Sequence, residues 1–228
     1  MQVKWTRGSL KEEQKLKLDK KSMLLYAITD RTWLNGKKLE DEVEKVLKAG
    51  ATFLQLREKN TPFDEFLETA KNIKIIAKKY NVPFVINDNI EIAKEIDADG
   101  VHIGQSDMEA KRARDLLGNE KIIGISAGNL EEALKAEENG ADYIGIGAVF
   151  HTDTKKDATD MTMDEMRKIA AAVHIPVVAI GGINAGNIME LKGTGVDGVA
   201  VISAIFADDD VFEATRNLLK LSSEMVKA

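Results

Sequence analysis

Short apolar runs alternate along the chain with longer segments in which apolar residues recur every three or four positions. The short runs are rich in Val and Ile, as in strands buried on both faces, and the longer segments have the period of amphipathic helices. The pattern predicts eight strands, at residues 24–29, 52–57, 83–87, 100–104, 121–126, 142–147, 176–181 and 198–203. Strand and helix therefore alternate throughout, which indicates a parallel sheet with crossover helices.

The helical segments carry their own end signals, and the units resemble one another. In residues 39–50 the apolar positions share one face, and Gly50 stands where a helix would end. Four stretches then repeat one order of residues: a helix-ending Gly, an Asp or Ala, and a strand that finishes in a polar residue. Such self-similarity points to a repeated βα unit within one domain.

Eight such units without a linker favour a (β/α)8 TIM barrel, an α/β fold, as a single catalytic domain over residues 23–228. Residues 1–22 are interpreted as a short N-terminal helical extension. A doubly wound open sheet is the alternative fold. It would normally have fewer strands and a glycine-rich turn after the first strand, whereas Asp30, Arg31 and Thr32 follow that strand here.

Composition limits the chemistry and the location. The 228 residues include no Cys, which excludes disulfides, thiolate metal sites and a thiol nucleophile and fits a reducing compartment. The longest apolar stretch, residues 23–28, has six residues, against roughly 20 needed to cross a bilayer. The N-terminus lacks the apolar core of a secretory signal, so we expect a cytoplasmic protein with no membrane partner.

Charge is distributed unevenly along the chain. Residues 1–22 hold seven Lys/Arg and three Asp/Glu, so a formal net charge of -6 leaves -10 on the remainder. An acidic body argues against nucleic acid as a partner, because neutralisation of phosphates dominates that affinity. Small molecules are the expected partners.

Polar residues collect at the C-terminal ends of the predicted strands, where such barrels place their active sites. Arg57, Lys59 and Lys155 indicate an anionic substrate with more than one phosphate charge. Asp88 and Asp107 follow neighbouring strands and could bind one hard cation such as Mg²⁺. They could equally cap the helices that follow, and the residues alone leave the two readings even.

The ends of strands seven and eight carry a phosphate-binding pattern. Gly181, Gly182, Ile202 and Ser203 lie where such barrels often hold a phosphomonoester on backbone N–H groups. The alternative is that the two glycines only form a tight turn.

Each histidine has its own interpretation. His102 alternates with apolar neighbours and is expected to pack, hydrogen-bonded, into the barrel end. His174 is expected at the surface of the opposite rim. His151, in the loop after strand six, could act as an acid or base, but no relay partner stands beside it. No Ser/His/Asp arrangement is recognisable.

Seven motifs in unbroken order over residues 23–206 resemble those of the thiamine-phosphate synthase family. They are QLREK at 55–59, INDN at 86–89, GVHIGQSD at 100–107, GIS at 124–126, TDTK at 152–155, AIGGI at 179–183 and GVAVISAI at 198–205. Any one of them is weak, but together around one rim they are specific.

The resemblance implies a Mg²⁺-dependent transferase. The family joins 4-amino-2-methyl-5-pyrimidinylmethyl diphosphate to a thiazole phosphate, giving thiamine phosphate and pyrophosphate, with loss of CO₂ from a carboxylated thiazole. An amino-substituted pyrimidinylmethyl group can leave as a stabilised cation, so catalysis chiefly requires stabilisation of the departing pyrophosphate, and no protein nucleophile is needed.

The resemblance also assigns roles by position, with Arg57, Lys59, Ser126 and Lys155 as the catalytic set. The implied metal ligands are Asp88 and Asp107. The implied contacts of the pyrimidine diphosphate are Gln55, Leu56, Arg57, Glu58, Lys59, Asn87, Ser126 and, on the pyrophosphate, Lys155. Those of the thiazole phosphate are Thr152, Asp153, Thr154, Gly182, Ile202 and Ser203.

One loop departs from the family pattern. Ala148 and His151 stand where the family usually has proline, so we expect this loop to be looser and costlier to order. His151 also sustains a second hypothesis, a thiazole tautomerase of the same barrel superfamily that uses a histidine for proton transfer. A third is a catalytically silent protein that binds thiamine phosphate.

Overall fold

The structure is a computed structural model that describes residues 18–104, 110–151 and 161–227. Within these residues, eight parallel strands pair in chain order, and the eighth pairs with the first to close a barrel. The strands are β1 (Leu25–Ile28), β2 (Phe53–Leu56), β3 (Phe84–Asn87), β4 (Gly100–Ile103), β5 (Ile122–Ala127), β6 (Tyr143–Ile146), β7 (Val177–Ile180) and β8 (Gly198–Val201). The closed barrel confirms the predicted fold and excludes the open sheet.

Helices connect the strands and surround the barrel. They are α1 (Leu39–Ala49), α2 (Phe63–Tyr80), α3 (Ile90–Glu95), α4 (Ala110–Leu117), α5 (Leu130–Glu138), α6 (Met163–Ala172), α7 (Ser203–Phe206) and α8 (Val211–Met225), with 3-10 turns at Lys20–Met23, Arg31–Trp33 and Ile188–Leu191. α1 ends as predicted at Gly50, whose φ is 108°. α6 begins with a capping box between Thr162 and Glu165.

Alternation along the strands separates two apolar layers. Outward side chains such as Leu54 and Ile144 pack against the helices, and inward ones such as Phe53, Tyr143 and Val178 fill the barrel. The filling is tight: a Cβ on Gly124 would lie 2.0 Å from the Cζ atom of Tyr143. A glycine on β5 is therefore what allows a large aromatic residue on β6 to cross the interior.

The segment before β1 packs against the N-terminal end of the barrel. Met23 is fully buried, Leu18 packs against the inner apolar cluster, and Lys20 forms an ion pair with Asp197 at 3.0 Å. The described part of the predicted helical extension is thus a single 3-10 turn, and residues 1–17 lie outside the described residues. The boundary at residue 22 stays a prediction.

No helix in the described part of the chain is long and apolar enough to cross a membrane.

Candidate active site

Parallel strands bring the predicted polar residues to one end of the barrel. Gln55, Asn87 and His102 lie on the inward register of β2, β3 and β4, and Ser126 lies on that of β5. Arg57 follows β2 directly. The interior below them is apolar, so the polar groups form a layer at the C-terminal opening.

A continuous hydrogen-bonded chain runs through this layer. The Nε2 amide of buried Gln55 donates to the Tyr26 hydroxyl, which bonds the Tyr143 hydroxyl at 2.8 Å. Tyr143 bonds Nδ1 of His102 at 2.9 Å, and Nε2 of His102 bonds the Ser126 hydroxyl at 3.1 Å. The predicted packing of His102 is confirmed, and two residues expected to meet substrate are linked across the barrel.

The sequence pattern did not single out the two tyrosines that take part in these hydrogen bonds. Tyr26 and Tyr143 lie within apolar strands, where an aromatic residue is usually only core. The signal that could have found them is register: both fall on inward positions, and the chain has three Tyr in all. A buried tyrosine hydroxyl needs a partner, so two at one level of a barrel imply a polar contact.

Arg57 is held by an aspartate from the neighbouring strand end. Nη1 of Arg57 donates to Oδ2 of Asp30 at 2.9 Å, and both side chains are largely buried. Burial would raise the pKa of Asp30, but hydrogen bonds from Thr32 and the Arg57 guanidinium outweigh it, so the pKa lies below its usual value. The pair fixes the guanidinium at the opening, and the sequence pattern gave Asp30 no role.

Two residues predicted to contact substrate have side chains that are occupied elsewhere. The Glu58 carboxylate, 1% exposed, accepts from Nε of Arg31 at 2.8 Å and from the Thr61 hydroxyl at 2.9 Å. The Glu58 carboxylate is therefore occupied by Arg31 and Thr61, and its negative charge would repel a diphosphate. The Leu56 side chain is fully buried in the helix-facing layer. What these two residues can offer a ligand is backbone. Lys59, by contrast, is exposed.

Asp88 lies exposed at the end of β3 and does not cap the helix that follows. Its φ is 60°, its carboxylate accepts from Asn87 Nδ2 at 2.5 Å, and it is exposed at the end of β3. The cap of α3 is Asn89, whose Oδ1 accepts from Ile92 N, so the capping alternative for Asp88 is wrong.

The metal prediction needs a second aspartate. Asp107 lies outside the described residues, and within residues 18–104, 110–151 and 161–227 no three His, Asp or Glu side chains form a group able to hold a metal ion. An exposed carboxylate at the strand end is a hard oxygen donor, so the described half of the pair fits Mg²⁺.

On the opposite side of the opening, Gly181 and Gly182 lie directly beneath the loop that follows β6. Both have positive φ, and a Cβ on Gly182 would lie 2.5 Å from the His151 carbonyl and 2.7 Å from that of Phe150. Backbone bonds join the layers, with Val149 N donating to Ile180 O at 3.1 Å. The close contact requires glycine with or without a phosphate, so phosphate binding stays a prediction.

Of the remaining predicted residues, some lie at the C-terminal rim of the barrel and others lie outside the described residues. Ile202 is partly buried against the inner apolar cluster, and Ser203 is exposed at the start of α7. His151 is exposed at the same rim, and His174 lies at the surface as predicted. Thr152, Asp153, Thr154 and Lys155 lie outside the described residues.

The chain is similar over most of its length to proteins of known function. The family model described as thiamine monophosphate synthase matches residues 25–205. The chain is 52% identical over 194 residues to a thiamine-phosphate synthase of Clostridium botulinum (strain Eklund 17B / Type B), spanning 85% of this chain and 91% of the relative. It is 48% identical over 200 residues to one of Clostridium tetani, spanning 88% and 96%.

A solved structure agrees with the sequence relatives. Thiamine phosphate pyrophosphorylase from Pyrococcus furiosus superposes with a TM-score of 0.84 at 42% identity, over 91% of this chain and 98% of that one.

Proposed function

The chain belongs to the thiamine monophosphate synthase family, and on this premise we propose how its barrel opening carries out the transfer reaction. It is a thiamine-phosphate synthase, a transferase acting on small molecules. The proposed substrates are 4-amino-2-methyl-5-pyrimidinylmethyl diphosphate and the (carboxylated) thiazole phosphate. The observation that carries the proposal is the Arg57 guanidinium, held by Asp30 at the opening beside the polar ends of β2 to β5.

The side of the opening formed by β2 and β3 is proposed to bind the diphosphate. Arg57 and Lys59, with Lys155 from the loop after β6, would neutralise the charge that develops as pyrophosphate leaves. Gln55, Asn87 and Ser126 would hold the pyrimidine ring so that its methylene carbon faces the thiazole nitrogen. Leu56 and Glu58 would contribute through their backbone and by supporting their neighbours.

Asp88 and Asp107 are proposed to hold Mg²⁺. Bound there, the ion would supply positive charge that offsets the charge of the leaving group. This part of the proposal is supported by the exposed Asp88 carboxylate, which Asn87 orients and which no helix cap requires.

The glycine side of the opening is proposed to anchor the thiazole phosphate through Thr152, Asp153, Thr154, Gly182, Ile202 and Ser203. A fixed thiazole phosphate would place the attacking nitrogen and lower the entropic cost of the encounter. The cytoplasmic location stays a prediction that accompanies this function.

A coupled assay tests the proposal. Purified enzyme mixed with both phosphorylated precursors and Mg²⁺ is expected to form thiamine phosphate and pyrophosphate in equal amounts, and EDTA is expected to abolish both. Asp88→Asn is expected to lower kcat/KM about 100-fold and to raise the Mg²⁺ concentration needed. Asp97→Asn is the matched control, since Asp97 is also exposed with φ of 51° but lies on the opposite face of the barrel, before β4.

Two outcomes would replace the proposal. Metal-independent isomerisation of the carboxylated thiazole phosphate, lost in His151→Ala, would identify a thiazole tautomerase. Calorimetric binding of thiamine phosphate by a protein that turns over neither precursor would identify a silent binding protein.

A further inference from the structure

The hydrogen-bonded chain inside the barrel has a direction that follows from counting its protons. Nε2 of Gln55 donates to Tyr26, so the single Tyr26 proton goes to the Tyr143 oxygen. The Tyr143 proton then goes to Nδ1 of His102, and a neutral His102 carries its own proton on Nε2, toward Ser126. The Ser126 oxygen accepts, and its proton is directed to a different acceptor.

With the Gln55 amide oriented so that Nε2 faces Tyr26, the reverse direction would leave a proton without an acceptor. Tyr26 would then receive protons from both Gln55 and Tyr143, and its own hydroxyl proton would have no partner in a site that is 1% exposed. Buried donors without acceptors are costly and rare. Across the described residues, the buried side-chain oxygen that lacks a hydrogen bond is Oε2 of Glu42, on α1 and not in this hydrogen-bonded chain.

Burial also keeps both tyrosines protonated. Desolvation is the largest cause that raises the pKa of Tyr26 and of Tyr143 well above the usual value. Each hydroxyl therefore keeps its one proton at neutral pH.

We propose that Tyr26, Tyr143 and His102 are positioning residues that fix the hydrogen-bond polarity of the two ends of this chain. They commit one of the two N–H groups of Gln55 Nε2 to the interior and leave Oε1 as an acceptor, and they make the Ser126 hydroxyl a donor. A pocket with one acceptor and one donor matches the amino group and a ring nitrogen of a 4-aminopyrimidine. It mismatches a 4-oxopyrimidine, in which the ring nitrogen donates and the oxygen accepts.

This inference rests on the proposed function for the identity of the ring, but its first test does not depend on activity. In protein carrying ¹⁵N-labelled histidine, long-range ¹H–¹⁵N spectra report the tautomer of each ring, and His151→Gln and His174→Gln assign the signals by elimination. We expect His102 to be neutral with its proton on Nε2. A proton on Nδ1, or an averaged mixture, in the wild-type protein would overturn the proposal.

The second test asks whether the polarity is transmitted. Tyr26→Phe keeps the ring that packs on Phe53 but removes a hydroxyl that does not itself bond His102. We expect it to mix the His102 tautomers and to lower the preference for the 4-amino over the 4-oxo diphosphate, as a ratio of kcat/KM, about ten-fold. The intrinsic reactivities of the two substrates cancel between variants, so the change in ratio reports the site.

Tyr80→Phe is the matched control. Its hydroxyl donates to Glu44 at 3.2 Å on the outer helices, so neither the tautomer nor the ratio should change. An unchanged ratio in a folded Tyr26→Phe protein would overturn the proposal. If the wild-type enzyme forms no thiamine phosphate, the proposed function fails while the tautomer measurement still decides the direction of the chain.

Discussion

The two sides of the barrel opening are built by different means. Beside β1 and β2, charged side chains are held in place by other charged side chains: Arg57 by Asp30, and Glu58 by Arg31. Beside β7, Gly182 has no side chain, and the loop after β6 therefore lies directly on its backbone.

In the proposed function, this difference separates two ways of recognising a phosphate. A charged side chain can be reoriented or replaced, so its value depends on the partner that fixes it. A backbone cradle has no side chain to replace, and its value depends on the space left where a Cβ would be. We therefore expect the first side to be sensitive to loss of charge and the second to gain of volume.

Removing the charge at the centre of the first side should have the largest effect. Arg57→Met keeps much of the apolar stem but deletes the guanidinium, and we expect kcat/KM for the pyrimidine diphosphate to fall about 100- to 1000-fold. The measurement is steady-state kinetics with each substrate varied in turn. Arg167→Met on α6 is the control, because the partners of Arg167 among the described residues are the surface groups Asp164 and Gly193. Equal losses in both variants would contradict a substrate role for Arg57.

Adding one methyl group should damage the second side. Gly182→Ala places a Cβ against two carbonyl oxygens at a φ of 65°, and we expect KM for the thiazole phosphate to rise roughly 10- to 100-fold as the loop moves. Gly193→Ala, at a φ of 78° with open space around it, incurs the same backbone strain without the contact. Both should lower the melting temperature, and only Gly182→Ala should change KM. A change in the pyrimidine KM alone would contradict the division of the opening.

The fold was predictable because its signal is repeated. Eight strands of four to six residues lie within two residues of the predicted ranges, since each βα unit repeats the same transition from apolar run to polar end. The positions of Gln55, Arg57 and Ser126 at one opening follow from register in the same way. The ends of the strands are less predictable, because the last polar residue leaves the hydrogen-bonded ladder at the rim.

Which side chains face the substrate was harder to predict. Neighbouring side chains of the QLREK motif point in different directions: Gln55 faces inward, Leu56 packs outward, and Glu58 turns to Arg31. Strand alternation decides the first two, but the orientations of Arg57 and Glu58 depend on pairing with Asp30 and Arg31, 27 residues earlier in the sequence, and such contacts leave no local pattern. The tyrosines of the interior were missed for the same reason, since their hydrogen-bond partners lie 29 or more residues away in the sequence.

The smallest expected effect on KM comes from replacing Asp30, and it distinguishes the role of Asp30 from that of the other carboxylate on this side, Glu58. Asp30→Asn weakens the contact that orients Arg57, and we expect KM for the pyrimidine diphosphate to rise about five- to ten-fold with little change in kcat. Glu58→Gln is its matched control, because Glu58 also accepts from an arginine at the rim but from Arg31 rather than Arg57. It should lower stability and leave KM within about two-fold of the wild type.

The contact between Asp30 and Arg57 should depend on pH in a defined way. The pKa of Asp30 is depressed in the folded protein, so its contribution is fully present above the usual carboxyl value, near 4, and is lost as pH falls through the depressed value. Between about pH 6 and 9 the ratio of KM for Asp30→Asn to wild type should therefore be constant. In urea titrations, the difference in unfolding free energy should shrink only under strongly acidic conditions. A ratio that varied with pH in the neutral range would mean that another group, and not the Asp30 carboxylate, orients Arg57.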